Sequence, residues 1–186
     1  MQNRKILLGI TAFFICFSVI GQKRFYTKTG YVDFFSNTPL EDIKATNNQV
    51  AAYVVFPEGE LNFAVLIKSF QFEKALMQEH FNENYLESDE FPRATFKGKI
   101  LQADKIDSAK VADHTVNVEG ELTIHGVTRF VKTDGKLSVR NDKKIIATAG
   151  FSVKPEDYEI NIPDAVRNNI ARDVLVTIDV TLEAFD

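Results

Sequence analysis

The chain has 186 residues, which is enough for one domain with a substantial hydrophobic core. Its formal net charge is −4, from 22 basic and 26 acidic residues, and no basic stripe appears, so nucleic-acid binding is not expected. The only cysteine, Cys16, lies in an apolar leader. A chain without that leader would have no disulfide, thiolate nucleophile or cysteine-ligated metal.

The first 22 residues have the organisation of a secretory signal peptide. Arg4 and Lys5 precede the uncharged run ILLGITAFFICFSVIG, which is shorter than the roughly 20 residues that a membrane-spanning helix needs. Charge returns directly afterwards, at QKRFY. We therefore predict an exported protein, periplasmic or secreted, with a signal peptide at 1–22 and a single domain at 23–186. Because VIGQ is only a fair cleavage site, a retained membrane anchor is the alternative.

Beyond the leader, apolar and polar residues alternate with a period of two, which predicts β-strands. In VNVEGELTI, for example, Val116, Val118, Leu122 and Ile124 share one face. The pattern predicts about eight strands, with hairpin turns at FPEGE (56–60) and VRNDKK (139–144). In chain order the predicted strands are GYVDFFS, VAAYVVF, ELNFAVLI, RATFKGKI, VNVEGELTI, RFVKTDGKLSV, IIATAGFSV and DVLVTIDVTL.

Two segments interrupt this alternation. In FQFEKALMQEHFNENYLES (70–88), good helix formers and apolar residues near helical spacing predict a short helix at about 71–84. The stretch PEDYEINIPDAVRNN (155–169) contains Pro155 and Pro163 and is predicted to be a loop with one helical turn.

Antiparallel strands accompanied by one short helix are compatible with a closed barrel, because closure removes exposed sheet edges. A barrel of about eight strands is also wide enough to hold one small ligand. A β-sandwich filled by the thirteen phenylalanines that follow the leader fits the composition equally well.

The sequence contains no candidate for catalytic or metal chemistry. His80, His114 and His125 are not joined by HxH or HxxxH spacing, so no metal site is expected. A GxSxG elbow and a glycine-rich phosphate loop are both missing, and the carboxylate pairs fall in loops. We predict no catalytic residues and no cofactor.

Small residues recur among the large ones on the apolar strand faces. Either they leave a cavity that favours an apolar guest, or they mark strand bends and tight packing. These small residues are Ala94, Gly98, Gly120, Ala147 and Ala149.

Three segments resemble the YceI family of exported bacterial proteins. They are GYVDFFSNTPLEDIKATN (30–47), HFNENYLESDEFPRATFKGKI (80–100) and VNVEGELTIHGVTRFV (116–131). FPRATF followed by GELTIHGVT is the most specific part of the resemblance. The chain departs from the family pattern at Arg129 and Phe130, where lysine and proline are frequent.

The resemblance implies a lipocalin-like, closed, eight-stranded antiparallel barrel with one short helix. Its interior would hold the chain of an apolar or amphiphilic lipid, such as an isoprenoid quinone, a polyprenyl phosphate or a fatty-acyl compound. No catalytic residues come with the family, so we predict a lipid carrier rather than an enzyme. An exported enzyme acting on a lipid and an eight-stranded outer-membrane barrel are the alternatives, although no paired aromatic girdles are visible for the latter.

For such a carrier we assign candidate residues, each of which could also be ordinary core. The predicted cavity wall consists of Ala94, Phe96, Val118, Leu122, Ala147, Ala149 and Phe151. The predicted helical lid consists of Leu76, Met77, Phe81 and Tyr85.

The stretch LTIHGVT predicts a two-residue hairpin corner at His125–Gly126, of the type that needs positive φ at both positions. The implied register places Leu122 opposite Arg129, which brings a cation to the apolar side near the end of the barrel. Arg129 either extends to water or meets the anionic head group of a ligand.

Overall fold

Nine β-strands form one antiparallel sheet in the computed structural model, which describes residues 22–140 and 143–185. The predicted leader, apart from Gln22, lies outside these residues, as do positions 141 and 142 of the predicted turn VRNDKK. The strands are β1 (Lys23–Asn37), β2 (Asp42–Phe56), β3 (Glu60–Leu66), β4 (Gln71–Phe72), β5 (Arg93–Ile100), β6 (Ala112–Ile124), β7 (Val127–Val139), β8 (Lys144–Val153) and β9 (Val174–Phe185).

The sheet closes on itself. Its strand order is β1-β9-β8-β7-β6-β5-β3-β2-β4, and β1 also pairs with β2. Eight long strands therefore make a barrel, and the two-residue β4 is an addition that pairs with β2 through Ala45 and Phe72. The predicted eight-stranded barrel is confirmed, and the sandwich alternative is wrong because a closed ring of pairings joins all eight strands.

The helical segment is shorter than predicted. The helix α1 spans Ala75–His80 and continues as a π-helical turn over Phe81–Tyr85. It begins later than position 71 because Gln71 and Phe72 are held as strand β4 against β2. The predicted loop at 155–169 contains two 3₁₀ turns rather than one, at Pro155–Tyr158 and Asp164–Asn169. Shorter 3₁₀ turns lie at Ile67–Ser69 and Ala103–Lys105.

One end of the barrel, where β1 begins and β9 ends, is filled by side chains. We call this end the floor. Leu137, Ile145 and Leu182 point inward there and are at most 2 % exposed. The other end, which we call the top, is covered by α1 and by the loop between β8 and β9, and many of the inward-facing residues below that cover are only half-buried.

The predicted hairpin corner is confirmed. His125 and Gly126 have φ angles of 50° and 74°, a region that glycine enters without steric cost. Ile124 pairs with Val127, and Leu122 pairs with Arg129, as the register required. A Cβ atom on Gly126 would lie 2.6 Å from the Phe91 ring, so the corner also packs too closely for a side chain.

No helix among the described residues is both long and apolar enough to cross a membrane.

Candidate functional site

A cavity of about 800 Å³ occupies the barrel interior between the floor and the top. This volume falls in the range of about 300–1,000 Å³ that is typical of small-molecule sites. Most of its lining is apolar, and each of the eight long strands contributes inward-facing residues, such as Phe34, Val54, Phe63, Val118 and Ile178. The cavity exists because these side chains face inward without meeting across the barrel.

All of the predicted wall residues line this cavity: Ala94, Phe96, Val118, Leu122, Ala147, Ala149 and Phe151. Except for Leu122, they remain half-buried although they point into the barrel. An inward-facing apolar residue stays accessible only when the space before it is unfilled. Their half-burial therefore reports a hollow interior at this level of the barrel.

The small residues divide into two groups. Ala94, Ala147 and Ala149 line the cavity and leave room in it. Gly98 and Gly120 pair with each other, and a Cβ atom on either would lie within 2.8 Å of the Phe96 ring. The ring therefore fills the space above these two glycines, and they serve close packing rather than the cavity.

Much of the lining was not among the predicted residues. Phe34 and Phe63 come from strands whose alternation was visible in GYVDFFS and ELNFAVLI, so the period-two signal could have identified them. The loop between β8 and β9 adds Ile160, Ile162 and Val166. Their spacing is irregular, and the sequence carries no signal that they turn inward.

The predicted lid residues Leu76, Met77, Phe81 and Tyr85 also line the cavity, at its top. Phe81 packs against Phe34, Phe70 and Phe72, with ring centroids 5.4, 5.5 and 5.0 Å away. We call these four residues the phenylalanine cluster. Because Phe34 belongs to β1, the cluster anchors the helical segment to the barrel wall.

A polar contact ties the same cover to two loops. The Glu41 carboxylate accepts a hydrogen bond from Asn169 at 3.1 Å and pairs with the Lys74 ammonium at 3.2 Å. These two contacts, the amide first, hold the pKa of Glu41 below its ordinary value. We call these two contacts of Glu41 the Glu41 latch. It joins the β1–β2 loop, the start of α1 and the 3₁₀ turn at 164–169, and all three of its residues line the cavity.

Arg129, the predicted head-group residue, does not line the cavity. Its Nε donates a hydrogen bond to the Asp157 carbonyl at 2.8 Å, and the side chain extends to the surface. It borders a second pocket of about 320 Å³ on the outside of the barrel, together with Lys154, Tyr158 and Asp173. A role of Arg129 in head-group binding stays a prediction.

Within the described ranges 22–140 and 143–185, no group of three or more histidine, cysteine or acidic side chains is placed to hold a metal ion.

The model of the YceI-like domain matches residues 24–182. The chain belongs to the YceI-like family. This agrees with the motifs in the sequence and covers nearly the whole barrel. No curated protein matches the chain.

Solved structures share the fold of this YceI-like chain at low identity. A polyisoprenoid-binding domain from Saccharophagus degradans, implicated in plant cell wall breakdown, superposes with a TM-score of 0.75 and 17% identity, covering 87% of this chain and 98% of that one. BcnA from Burkholderia cenocepacia gives 0.68 at 15% identity, with coverage of 82% and 95%. A YceI protein from Campylobacter jejuni gives 0.53 at 16% identity, with coverage of 100% and 99%. At these identities the likeness establishes the fold.

In this YceI-like barrel, the motif GELTIHGVT also fastens neighbouring segments together. His125 Nε2 lies 2.8 Å from the Glu87 carboxylate, and Nδ1 lies 3.2 Å from the Tyr158 carbonyl. The Phe91 ring packs edge-on against the imidazole, with centroids 4.6 Å apart. His125 thus joins the β6–β7 hairpin to the end of the lid segment and to the loop after β8, which is a structural role.

Proposed function

We propose that this protein is an exported carrier that binds the apolar chain of an isoprenoid or fatty-acyl amphiphile inside its barrel. The observation that supports this most directly is the apolar cavity of about 800 Å³ beneath the phenylalanine cluster. A dry apolar cavity favours an apolar guest, because water inside it would find few hydrogen-bond partners.

Apolar burial alone can provide the affinity. A lipid chain that loses about 400 Å² of apolar surface gains roughly 10 kcal/mol, at about 25 cal/mol per Å². The cost of association is on the order of 4–15 kcal/mol, so micromolar binding, which is worth about 8 kcal/mol, needs burial of roughly 500 Å² or more even at the lowest cost. An elongated, flexible chain suits a wall that is built from many strands with alternating large and small side chains.

The isoprenoid class is supported by the polyisoprenoid-binding domain that shares this fold. The apolar lining is chemically compatible with the chain of an isoprenoid quinone, a polyprenyl phosphate or a fatty-acyl compound. Transport to the periplasm or the exterior is supported by the charge and apolar pattern of residues 1–22.

A carrier function, rather than catalysis, is supported by the engagement of one carboxylate, Glu41, at the top of the cavity. Glu41 engages Lys74 and Asn169, so these groups hold one another and the lid. A general base or nucleophile would need to be directed at the position of a reacting bond. The latch instead gives this carboxylate a structural task.

Mass spectrometry of an organic extract of the purified protein tests the proposal. We expect an isoprenoid or fatty-acyl compound in stoichiometric amount, and uptake of added geranylgeraniol by protein that has been stripped of lipid. An unrelated protein purified in parallel is the control for carried-over lipid. An empty extract together with no uptake would show that the cavity is not a lipid site.

Export is tested separately by intact-mass measurement of the protein from the periplasmic or secreted fraction. A mass that corresponds to a chain beginning at residue 23 is expected. The full-length mass in a membrane fraction would instead indicate the retained anchor.

A further inference from the structure

Two neighbouring strands of the barrel separate towards the top. β7 and β8 pair only between Val139↔Ile145 and Gly135↔Ala149. Yet β7 remains paired with β6 as far as Val127, and β8 remains paired with β9 as far as Val153. Each strand stays with its other neighbour, so the barrel wall opens between them. We call the opening between residues 131–133 and 150–153 the β7–β8 window.

The cavity extends into this window. Lys132 lies on the outer face of the barrel, where it pairs with Glu119 at 3.1 Å. Lys132 nevertheless borders the interior cavity, as does Ser152 on the opposite strand. Residues on the outer face reach an interior cavity where the neighbouring strand is not in place beside them.

The window has defined edges. At its lower edge the Thr133 hydroxyl donates to the Gly150 carbonyl at 3.5 Å, a long hydrogen bond. At its upper edge Arg129 Nε donates to the Asp157 carbonyl at 2.8 Å. The side opening is therefore framed, and it is separate from the top of the barrel.

A polar pocket adjoins the window from outside. The pocket of about 320 Å³ that contains Arg129 shares Val131, Ser152 and Val153 with the interior cavity. The same three residues thus face an apolar space on one side and a polar space on the other. An amphiphile matches this arrangement, with its chain inside and its head group outside.

The top of the barrel, in contrast, is fastened. The phenylalanine cluster packs the helical segment against β1, and the Glu41 latch ties α1 to both adjacent loops. A ligand passing there would have to break these contacts. Passage between β7 and β8 breaks no strand pairing, because that pairing ends at Gly135↔Ala149.

We propose that the β7–β8 window is the passage through which the lipid chain enters, and that the pocket beside it holds the head group. The head group would carry a hydrogen-bond-accepting oxygen, as in a carboxylate, a phosphate or a quinone carbonyl. Arg129 uses one of its five N–H donors on Asp157, and the others can serve this oxygen. The inference rests on the proposed lipid-carrier function.

A disulfide across the window tests the passage. In a Cys16→Ser background, which removes the only native thiol, Lys132→Cys and Ser152→Cys lie at positions that face each other when the β7–β8 register is extended. The matched control is Lys136→Cys with Thr148→Cys, which are already paired below the window. The probe is cis-parinaric acid, whose fluorescence rises in apolar surroundings.

Oxidation of the window pair is expected to slow uptake of the probe by about ten-fold or more, with recovery on reduction. The control pair should leave the rate within about two-fold. Equal rates in the oxidised and reduced window variant would overturn the passage. Failure of the unmodified protein to bind the probe would instead count against the carrier function itself, so the two failures are distinguishable.

The head-group site is tested by Arg129→Ala, with Arg24→Ala as the control because it removes an exposed arginine at the floor. We expect several-fold weaker binding of cis-parinaric acid for Arg129→Ala only. Equal affinity in both variants would remove Arg129 from the site and leave the passage to be judged by the disulfide.

A fatty acid with a benzophenone group next to its carboxylate provides a measurement that needs no substitution. Photocrosslinks are expected in peptides that contain residues 129–132 or 152–158. Crosslinks confined to the lid segment 74–85 would place the head group at the top and refute the window. This test does not depend on the folding of the double-cysteine variant.

Discussion

Replacing Ala149 with phenylalanine tests whether the barrel interior is hollow or filled. Ala149 points inward from β8, is half-buried and lines the cavity. In a filled interior, a larger side chain forces its neighbours apart at a cost of about 1–3 kcal/mol. In a hollow interior the added ring finds room, and no such cost arises.

The expected change in the free energy of unfolding follows from the apolar area of the added ring. A phenylalanine side chain buries about 150–250 Å² when it is fully enclosed. At about 25 cal/mol per Å² this corresponds to roughly 4–6 kcal/mol of gross stabilisation, which partial exposure and loss of side-chain entropy reduce. We therefore expect the free energy of unfolding of Ala149→Phe to be equal to or above that of the original protein.

Ligand binding should change in the opposite direction. The new ring occupies space that the lipid chain would fill, so the ligand buries less apolar surface. A loss of about 60 Å² of contact already removes about 1.5 kcal/mol, which is a ten-fold loss of affinity. A decrease of ten-fold or more is expected in a titration with geranylgeraniol.

The matched control is Ala45→Phe. Ala45 lies on β2, is 1 % exposed and does not line the cavity, so the same substitution meets a filled region. Urea denaturation should show a loss of about 1–3 kcal/mol or more for this variant alone. If Ala149→Phe were destabilised as strongly as Ala45→Phe, the interior would not be hollow at β8. If it bound lipid unchanged, the ligand would lie elsewhere.

Further predictions concern contacts outside the cavity. His125→Ala loses the contact with Glu87 and places alanine at positive φ, so urea denaturation should show a loss of about 1–3 kcal/mol, whereas His125→Asn should recover part of it. Gly120→Ala would place a Cβ atom 2.4 Å from the Lys97 carbonyl, and the same assay should show a loss of about 1–3 kcal/mol or more; an unchanged midpoint would contradict the packing described. The pKa of Asp113 lies well below its usual range, first because of the hydrogen bond from Ser138. Because the folded pKa is the lower one, its contribution is present above about pH 4 and is lost as pH falls towards the folded value. The melting temperature of Asp113→Asn should therefore lie below that of the original protein at pH 7, with the difference shrinking at pH 3; a constant difference would refute this.

The strands and their inward faces could be predicted from the sequence, because side chains alternate strictly between the two faces of a strand. Ala147, Ala149 and Phe151 share a face by spacing alone, and the structure places all three at the cavity. The hairpin at His125–Gly126 could also be predicted from local sequence, because few residue types adopt positive φ at two successive positions.

The features that could not be predicted from the sequence depend on contacts between segments that are far apart in the chain. The strand pattern alone was compatible with both a barrel and a sandwich. The pairing of β1 with β2, which no local pattern encodes, closes the sheet into a barrel. The start of α1 was decided by the pairing of Phe72 with Ala45. The loop residue Ile160 reaches the cavity through a non-repeating backbone, for which spacing has no predictive value.

The sequence by itself determined which strand residues share a face, because that follows from a two-residue period. Whether the interior is filled was a tertiary matter, since it depends on how far apart the facing walls stand. Gly120 and Ala149 are both small residues on an inward strand face. The Phe96 ring packs against Gly120, whereas Ala149 borders the cavity. The window is likewise a tertiary feature, because the alternation within β7 and β8 does not encode how far the two strands stay paired with each other.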